Sequence, residues 1–145
     1  ILPSCLVNYR VHQTNTSTGE HAEAMHDNVK AIHQAQLIAL GIQASEDELL
    51  FHHQLGFGNP EMVDLIFINR ANEWLNRLKS QNEEATIYQR KALAFVLAHR
   101  WTKICTANPE LGLKILKPYF KSEISKVTLQ NMAILGQYIL KNLFK

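Results

Sequence analysis

The residues best suited to chemistry are the histidines, seven in the chain. His21, His26 and His33 share one stretch with Glu20, Glu23 and Asp27. On a helix, His26 and His33 fall within about 20° of one another. Glu23 and His26 have the Glu-x-x-His spacing with which helical bundles hold metal pairs. Imidazole and carboxylate together are the ligands zinc, iron and manganese use. Two features oppose that reading. Lys30 lies on the same stripe and sets an ammonium against any bound cation, and the chain has no second Glu-x-x-His. The expectation is a solvated helix face, with no metal and no cofactor.

The other histidines make no catalytic set. His52 and His53 are adjacent, so on a helix they diverge, and Glu48 stands four residues before His52 at the spacing of a surface pair. His99 precedes Arg100 and Trp101. A cysteine nucleophile needs a nearby base and a group to orient it. Cys105 is six residues from His99, off the adjoining turn, and reads as structural. The two cysteines, Cys5 and Cys105, are expected to be free thiols, because nothing else resembles a disulfide framework. Gly56-Phe57-Gly58-Asn59-Pro60 precedes a helix start, where anions can bind. Pro60 removes an amide donor, Glu61 adds negative charge, and no Lys-Ser or Lys-Thr comes after it, so a plain connection is expected.

Charge is distributed more tellingly. Residues 1–72 hold three basic residues against eight acids, a net of −5, and residues 73–145 hold twelve against five, a net of +7. Beyond Glu84 only Glu110 and Glu123 are acidic, against ten basic residues. Such halves can face one another or water. They can also form a basic surface for an acidic protein, for anionic lipid headgroups, or for nucleic acid. Nucleic acid fits least well: aromatic interleaving is thin there, with Trp101, Tyr119 and Phe120, and no helix-turn-helix is evident. Lys114, Lys117 and Lys121 recur at helical spacing beside Tyr119 and Phe120. These five are the candidate partner-binding residues.

The elements that must position them read as helices. Residues 1–16 lack a period and suggest an irregular or extended arm, and residues 17–145 read as a single helical domain. Ser17 with Glu20 forms a capping box before the Met25, Val29, Ile32 stripe, and Gly41 ends that helix. A second starts at Ser45, with Glu46, Asp47 and Glu48 at its positive end, and closes at Gly56-Phe57-Gly58. A third is expected from Asn59, with Pro60 at its first position, through Met62, Val63, Ile66, Phe67, Trp74 and Leu78. A fourth should start near Glu83 or Glu84 and reach Cys105, with Ile87, Ala94, Ala98, Trp101 and Cys105 on one stripe. Asn108-Pro109-Glu110 starts a short fifth that Pro118 stops. The last begins near Ser122 or Ser125, with Leu129, Met132, Leu135, Ile139 and Leu143 along one side and Lys126, Gln130, Gln137 and Lys141 as its polar stripe. A helix so apolar is central to the core or covered by a partner.

No hairpin signal interrupts this pattern, so the expected class is all-α: an irregular bundle or short helical-repeat-like array of about five to six helices. The two Asn-Pro-Glu starts invite a repeat, but the residues after them agree only loosely. With 145 residues, 46% hydrophobic and 19% charged, the chain can bury a core and does not read as disordered. No stretch approaches the ~18 apolar residues of a membrane span. The chain opens at Ile1 rather than methionine, as a processed chain or an excised piece does. The expected localisation is soluble and cytoplasmic, or within a host cell if the chain is a bacterial effector, with secretion as the alternative. The expected function is a non-catalytic adaptor or effector-type module that binds a protein partner through a helical face or groove. The alternatives are a peripheral binder of anionic membrane or nucleic acid through the basic half, and an enzyme with dispersed active-site residues.

Overall fold

The computed structural model describes residues 22–57, 63–125 and 128–144, with side chains given from Asn28 on, Phe57 excepted. The N-terminal arm, Cys5, the Ser17–Glu20 capping box, His21 and the Asn59-Pro60-Glu61 start lie outside the described residues, as do the side chains of Glu23 and His26. Among the described residues the fold is all-α, with six α-helices, one 3-10 segment and no strand. The helices are α1 (Ala22–Ala39), α2 (Glu46–Phe57), α3 (Leu65–Ala85), α4 (Arg90–Cys105), α5 (Leu116–Lys121) and α6 (Leu129–Leu143), and the 3-10 segment, Pro109–Ile115, lies between α4 and α5.

Two of the expected ends are made as the sequence implies. Past α1, Gly41 takes a φ of 78°, its amide reaches the Ile38 carbonyl, and the Ile42 amide reaches that of Leu37. This is the glycine-terminated motif that satisfies the last helical carbonyls, and its paired apolar residues, Leu37 and Ile42, are both buried. At the start of α2, Ser45 Oγ accepts from the Glu48 amide at 3.2 Å and the Ser45 amide donates to Glu48 Oε2 at 2.9 Å. Two otherwise orphaned donors are thereby satisfied reciprocally.

Other boundaries differ from expectation, each for a visible reason. Val63 and Asp64 are not helical, so α3 starts at Leu65 and not as a run from Asn59. Asp64 is the cap that wins: its Oδ1 accepts from the Phe67 amide at 2.7 Å, while the Val63 carbonyl is held outside the helix by Asn108 Nδ2 at 2.8 Å. Glu83 and Glu84 do not open the fourth helix; they are the last turn of α3, which runs without a break to Ala85. The break comes at Thr86, in the left-handed region at φ 53°. Buried Asn82 then fixes the connection, donating to the Tyr88 carbonyl at 2.9 Å and accepting from the Tyr88 amide at 2.7 Å. Ile87 is consequently half exposed instead of lying on the α4 core stripe.

Asn108 caps as expected, accepting from the Glu110 amide at 2.9 Å, but the segment it opens is a 3-10 turn that changes direction at Gly112, where φ is 55° and ψ −144°. Pro118 does not stop the chain there. It sits in the first turn of α5, where a backbone N–H has no helical partner to lose. Neither Ser122 nor Ser125 starts α6. Ser122 Oγ bonds Asn72 Oδ1 and Ser125 Oγ bonds the Tyr119 carbonyl, leaving Thr128 to cap α6 by accepting from the Asn131 amide at 3.1 Å.

The core is one hydrophobic cluster to which all six helices contribute, with Trp101 fully buried. Trp101 Nε1 finds Ser125 Oγ at 3.1 Å, so burial leaves no orphan donor. α6 packs on α4 and the 3-10 segment through Asn131, Leu135 and Tyr138. Leu129, Met132 and Leu143, expected to share a buried side with Leu135, are exposed instead. No helix of the described residues is long and apolar enough to cross a membrane.

Candidate functional site

Lys114, Lys117 and Lys121 line one cleft of about 400 Å³. The opposite wall is α3, with Leu65, Asn69 and Asn72, and Pro118 and Ser122 complete the lining. No acidic residue is among them. The nearest acid in sequence, Glu123, faces Lys79 at 3.7 Å, and none of the three lysines forms an ion pair among the described residues.

The cleft is held from behind. Tyr119 is buried, its hydroxyl 3.1 Å from Thr102 Oγ1 and its carbonyl an acceptor for Trp101 Nε1 and Ser125 Oγ. It anchors α5, and with the other side of that helix committed to the core, Lys117 and Lys121 face outward. Tyr119 therefore positions the surface and offers none of its own. Phe120, edge-on to Tyr119 with ring centroids 5.1 Å apart, is exposed beside the cleft and does not line it. The 3-10 segment that carries Lys114 is clamped by the Tyr138 hydroxyl, which donates to the carbonyls of Asn108 at 2.9 Å and Gly112 at 3.1 Å.

On the α3 wall, Asn72 Oδ1 accepts from Ser122 Oγ and, at 3.2 Å, from Asn76 Nδ2. With its oxygen occupied twice, Asn72 retains its Nδ2 hydrogens as donors. Three ammonium groups and a neutral amide donor make a site for an anionic group, carboxylate or phosphate, and contain no nucleophile paired with a base. The charge run identified the lysines. Asn69, Asn72 and Ser122 escaped the sequence reading because Asn72 and Ser122 are fifty positions apart and meet only in the fold. The i, i+3 spacing of Asn69 and Asn72 on α3 was the one local signal.

The remaining candidates form other arrangements. A second cleft, about 470 Å³, lies between α2 and α3, and both of its arginines are paired with acids of its own lining, which also includes Glu73. Arg70 meets Asp47 and lies 4.1 Å over the Phe51 ring; Arg77 meets Glu48 at 2.6 Å beside the Trp74 ring. The Ser45 amide, and after it the Arg77 guanidinium, hold the Glu48 carboxyl below the usual carboxylate range. Glu48 is thus not paired with His52.

His52 and His53, expected to diverge, both pack against His33, with ring centroids 5.0 and 5.3 Å apart. His52 Nδ1 accepts from Trp74 Nε1 at 3.0 Å. Burial and then the neighbouring His33 and His53 push the His52 pKa down to about 4; burial and then His53 lower that of His33. Lys30 bridges to Glu46 at 3.3 Å. Among the described residues no three His, Cys, Asp or Glu side chains are arranged to hold a metal ion. His99 Nδ1 lies 3.2 Å from Asn131 Oδ1 across the α4–α6 interface, and Cys105 is a free, fully buried thiol whose pKa burial pushes up. Compared with protein-family models, with curated proteins and with solved structures, the chain matches none.

Proposed function

We propose that the chain is a non-catalytic interaction module that receives an acidic segment of a partner protein in the Lys114, Lys117, Lys121 cleft. The observation that carries this reading is the convergence of three lysines on one concavity where, among the described residues, they form no ion pair and no acid is in the lining. Charges left unopposed among the described residues raise the local concentration of an opposite charge and speed its arrival. A concave site of this volume takes one or two carboxylate side chains of a peptide. A flat lipid surface reaches into it less well, and no aromatic is among its described lining residues on which a nucleic-acid strand could stack a base.

A fluorescently labelled peptide of alternating Glu and Ser, titrated at low and at physiological salt, tests this. Binding should weaken with added salt, because exposed charges are screened over about 8 Å at physiological ionic strength. Replacing Lys114, Lys117 and Lys121 together by Glu should weaken it roughly tenfold or more while circular dichroism keeps its helical form. No binding at low salt, or preferential binding of phosphatidylserine vesicles or single-stranded RNA that the same substitutions abolish, would reject the acidic-peptide reading.

A further inference from the structure

α6 has three faces. Asn131, Leu135 and Tyr138 turn to the core, and Gln130, Gln137 and Lys141 form a polar side. The third face is apolar and exposed: Leu129 at 94%, Met132 at 46%, Leu140 at 56%, Leu143 at 58% and, just past the helix, Phe144 at 86%. Single exposed apolar residues are ordinary, but a stripe of them on one helix face is the mark of a covered surface.

At the middle of the stripe stands Gly136. Nothing among the described residues calls for a glycine there. Its φ is not positive, and a Cβ built on it meets nothing within 4 Å. In a helix interior glycine costs about 1 kcal/mol relative to alanine. Its remaining use is to let another backbone approach closely.

The stripe is also symmetric about that glycine. Met132 and Leu140 lie four residues to either side, and Leu129 and Leu143 lie seven to either side. A two-fold axis through Gly136 therefore sets Met132 against Leu140 of a second copy and Leu129 against its Leu143. Self-complementarity of this kind is what an isologous dimer interface requires and what an unrelated partner has no reason to share. Charge agrees. Lys141, five residues from the axis, would stand about 15 Å along the helix from its symmetry mate, beyond the ~8 Å screening distance. Area agrees too. An aromatic side chain can bury on the order of 150–250 Å² and sets an upper scale, so the five, between 46% and 94% exposed, present on the order of 500 Å² per copy. Two copies then approach the size of a small specific interface.

We propose that the Leu129, Met132, Gly136, Leu140, Leu143 face of α6 is a homodimer interface, in which two α6 helices cross antiparallel at Gly136. It is independent of the basic cleft, which lies on α3, α5 and the 3-10 segment.

Light scattering and sedimentation over a wide concentration range should show a monomer–dimer equilibrium, with a Kd on the order of micromolar for an interface this small. Gly136→Leu adds a side chain into open space in the single chain, so helicity and melting temperature should not fall. The dimer should nevertheless weaken by about tenfold or more, since the crossing no longer closes. Leu129→Gln with Leu143→Gln, both solvent-facing in the monomer, is the second variant and should act alike. In a Cys5→Ser background, mixing a Met132→Cys chain with a Leu140→Cys chain should give a cross-linked dimer that neither chain gives alone. A chain monomeric at every concentration overturns the proposal. So does a dimer indifferent to both sets of substitutions, or cross-linking by each cysteine chain alone, which means parallel pairing. Flotation with phosphatidylcholine–phosphatidylserine vesicles, lost in the same variants of a monomeric chain, would assign the stripe to a lipid surface instead.

Discussion

The indole N–H of Trp74 donates to Nδ1 of His52 across 3.0 Å, a bond that exists only while the imidazole is neutral. It ties α2 to α3 at the edge of the core, where His33 packs edge-on against the His52 ring and His53 packs against His33.

Acid should therefore loosen this corner first. Burial and the two neighbouring histidines hold His52 at about 4 when folded, against 6.5 as its ordinary value. The folded pKa is the lower, so between these values the unfolded chain binds a proton that the folded chain refuses. The stabilisation is complete above about pH 6.5 and is lost as pH falls toward 4, by roughly 3 kcal/mol in all. His33 is lowered in the same direction. Glu48, whose pKa lies below its ordinary 4.5, acts in a more acidic window. Urea unfolding between pH 7 and pH 4.5 should thus show a falling midpoint, and His52→Asn, which keeps an acceptor near Nδ1, should flatten most of the slope. An equally steep slope in that variant would show that other groups carry it.

Asn82 should be among the costliest polar side chains to remove. It is 1% exposed and holds both the amide and the carbonyl of Tyr88. Asn82→Ala removes both bonds from the α3–α4 connection and should cost about 1–3 kcal/mol in denaturant unfolding. Asn82→Asp, which sets a carboxylate oxygen against the Tyr88 carbonyl, should cost at least as much. A loss within a few tenths of a kcal/mol for the alanine variant would mean that Thr86 and the helix ends set the α3–α4 turn unaided.

Cys105 should be chemically silent in the folded protein. Its thiol is fully buried and its pKa is raised by that burial, so little thiolate forms and none is reachable. Labelling with a maleimide should leave Cys105 unmodified in native buffer and modify it fully in urea, as peptide mass mapping can read. Rapid native labelling at Cys105 would mean that α4 opens from the core far more often than its packing implies.

What could be read from the sequence was whatever a few consecutive residues decide. Ser45 with Glu48, Gly41 and Asn108 are local devices, and each terminates or starts its element as its type implies. The misplaced boundaries are those where two local solutions compete and a distant residue selects one. Asp64 starts α3 with Val63 tethered from Asn108, forty-five positions away. Ser122 and Ser125 look like caps but are drawn into contacts with Asn72 and Tyr119, so Thr128 caps α6. The site divides in the same way. The lysines were visible as a charge run, whereas the turning of Tyr119 into the core and the approach of Asn72 were not. An aromatic beside lysines reads alike whether it faces solvent or core. α6 was apolar on nearly every side, so periodicity alone did not say which apolar face the core takes.

Tyr138 has one more consequence. Its hydroxyl, on α6, holds the carbonyls of Asn108 and Gly112, and Asn108 in turn holds Val63. When α6 lifts away, the 3-10 segment carrying Lys114 loses its clamp and the entry to α3 loses its tether. Amide protons along these three segments should then exchange with solvent at one shared opening free energy, as a single cooperative unit. The basic cleft has no lifetime of its own; it lasts as long as the helix behind it stays down.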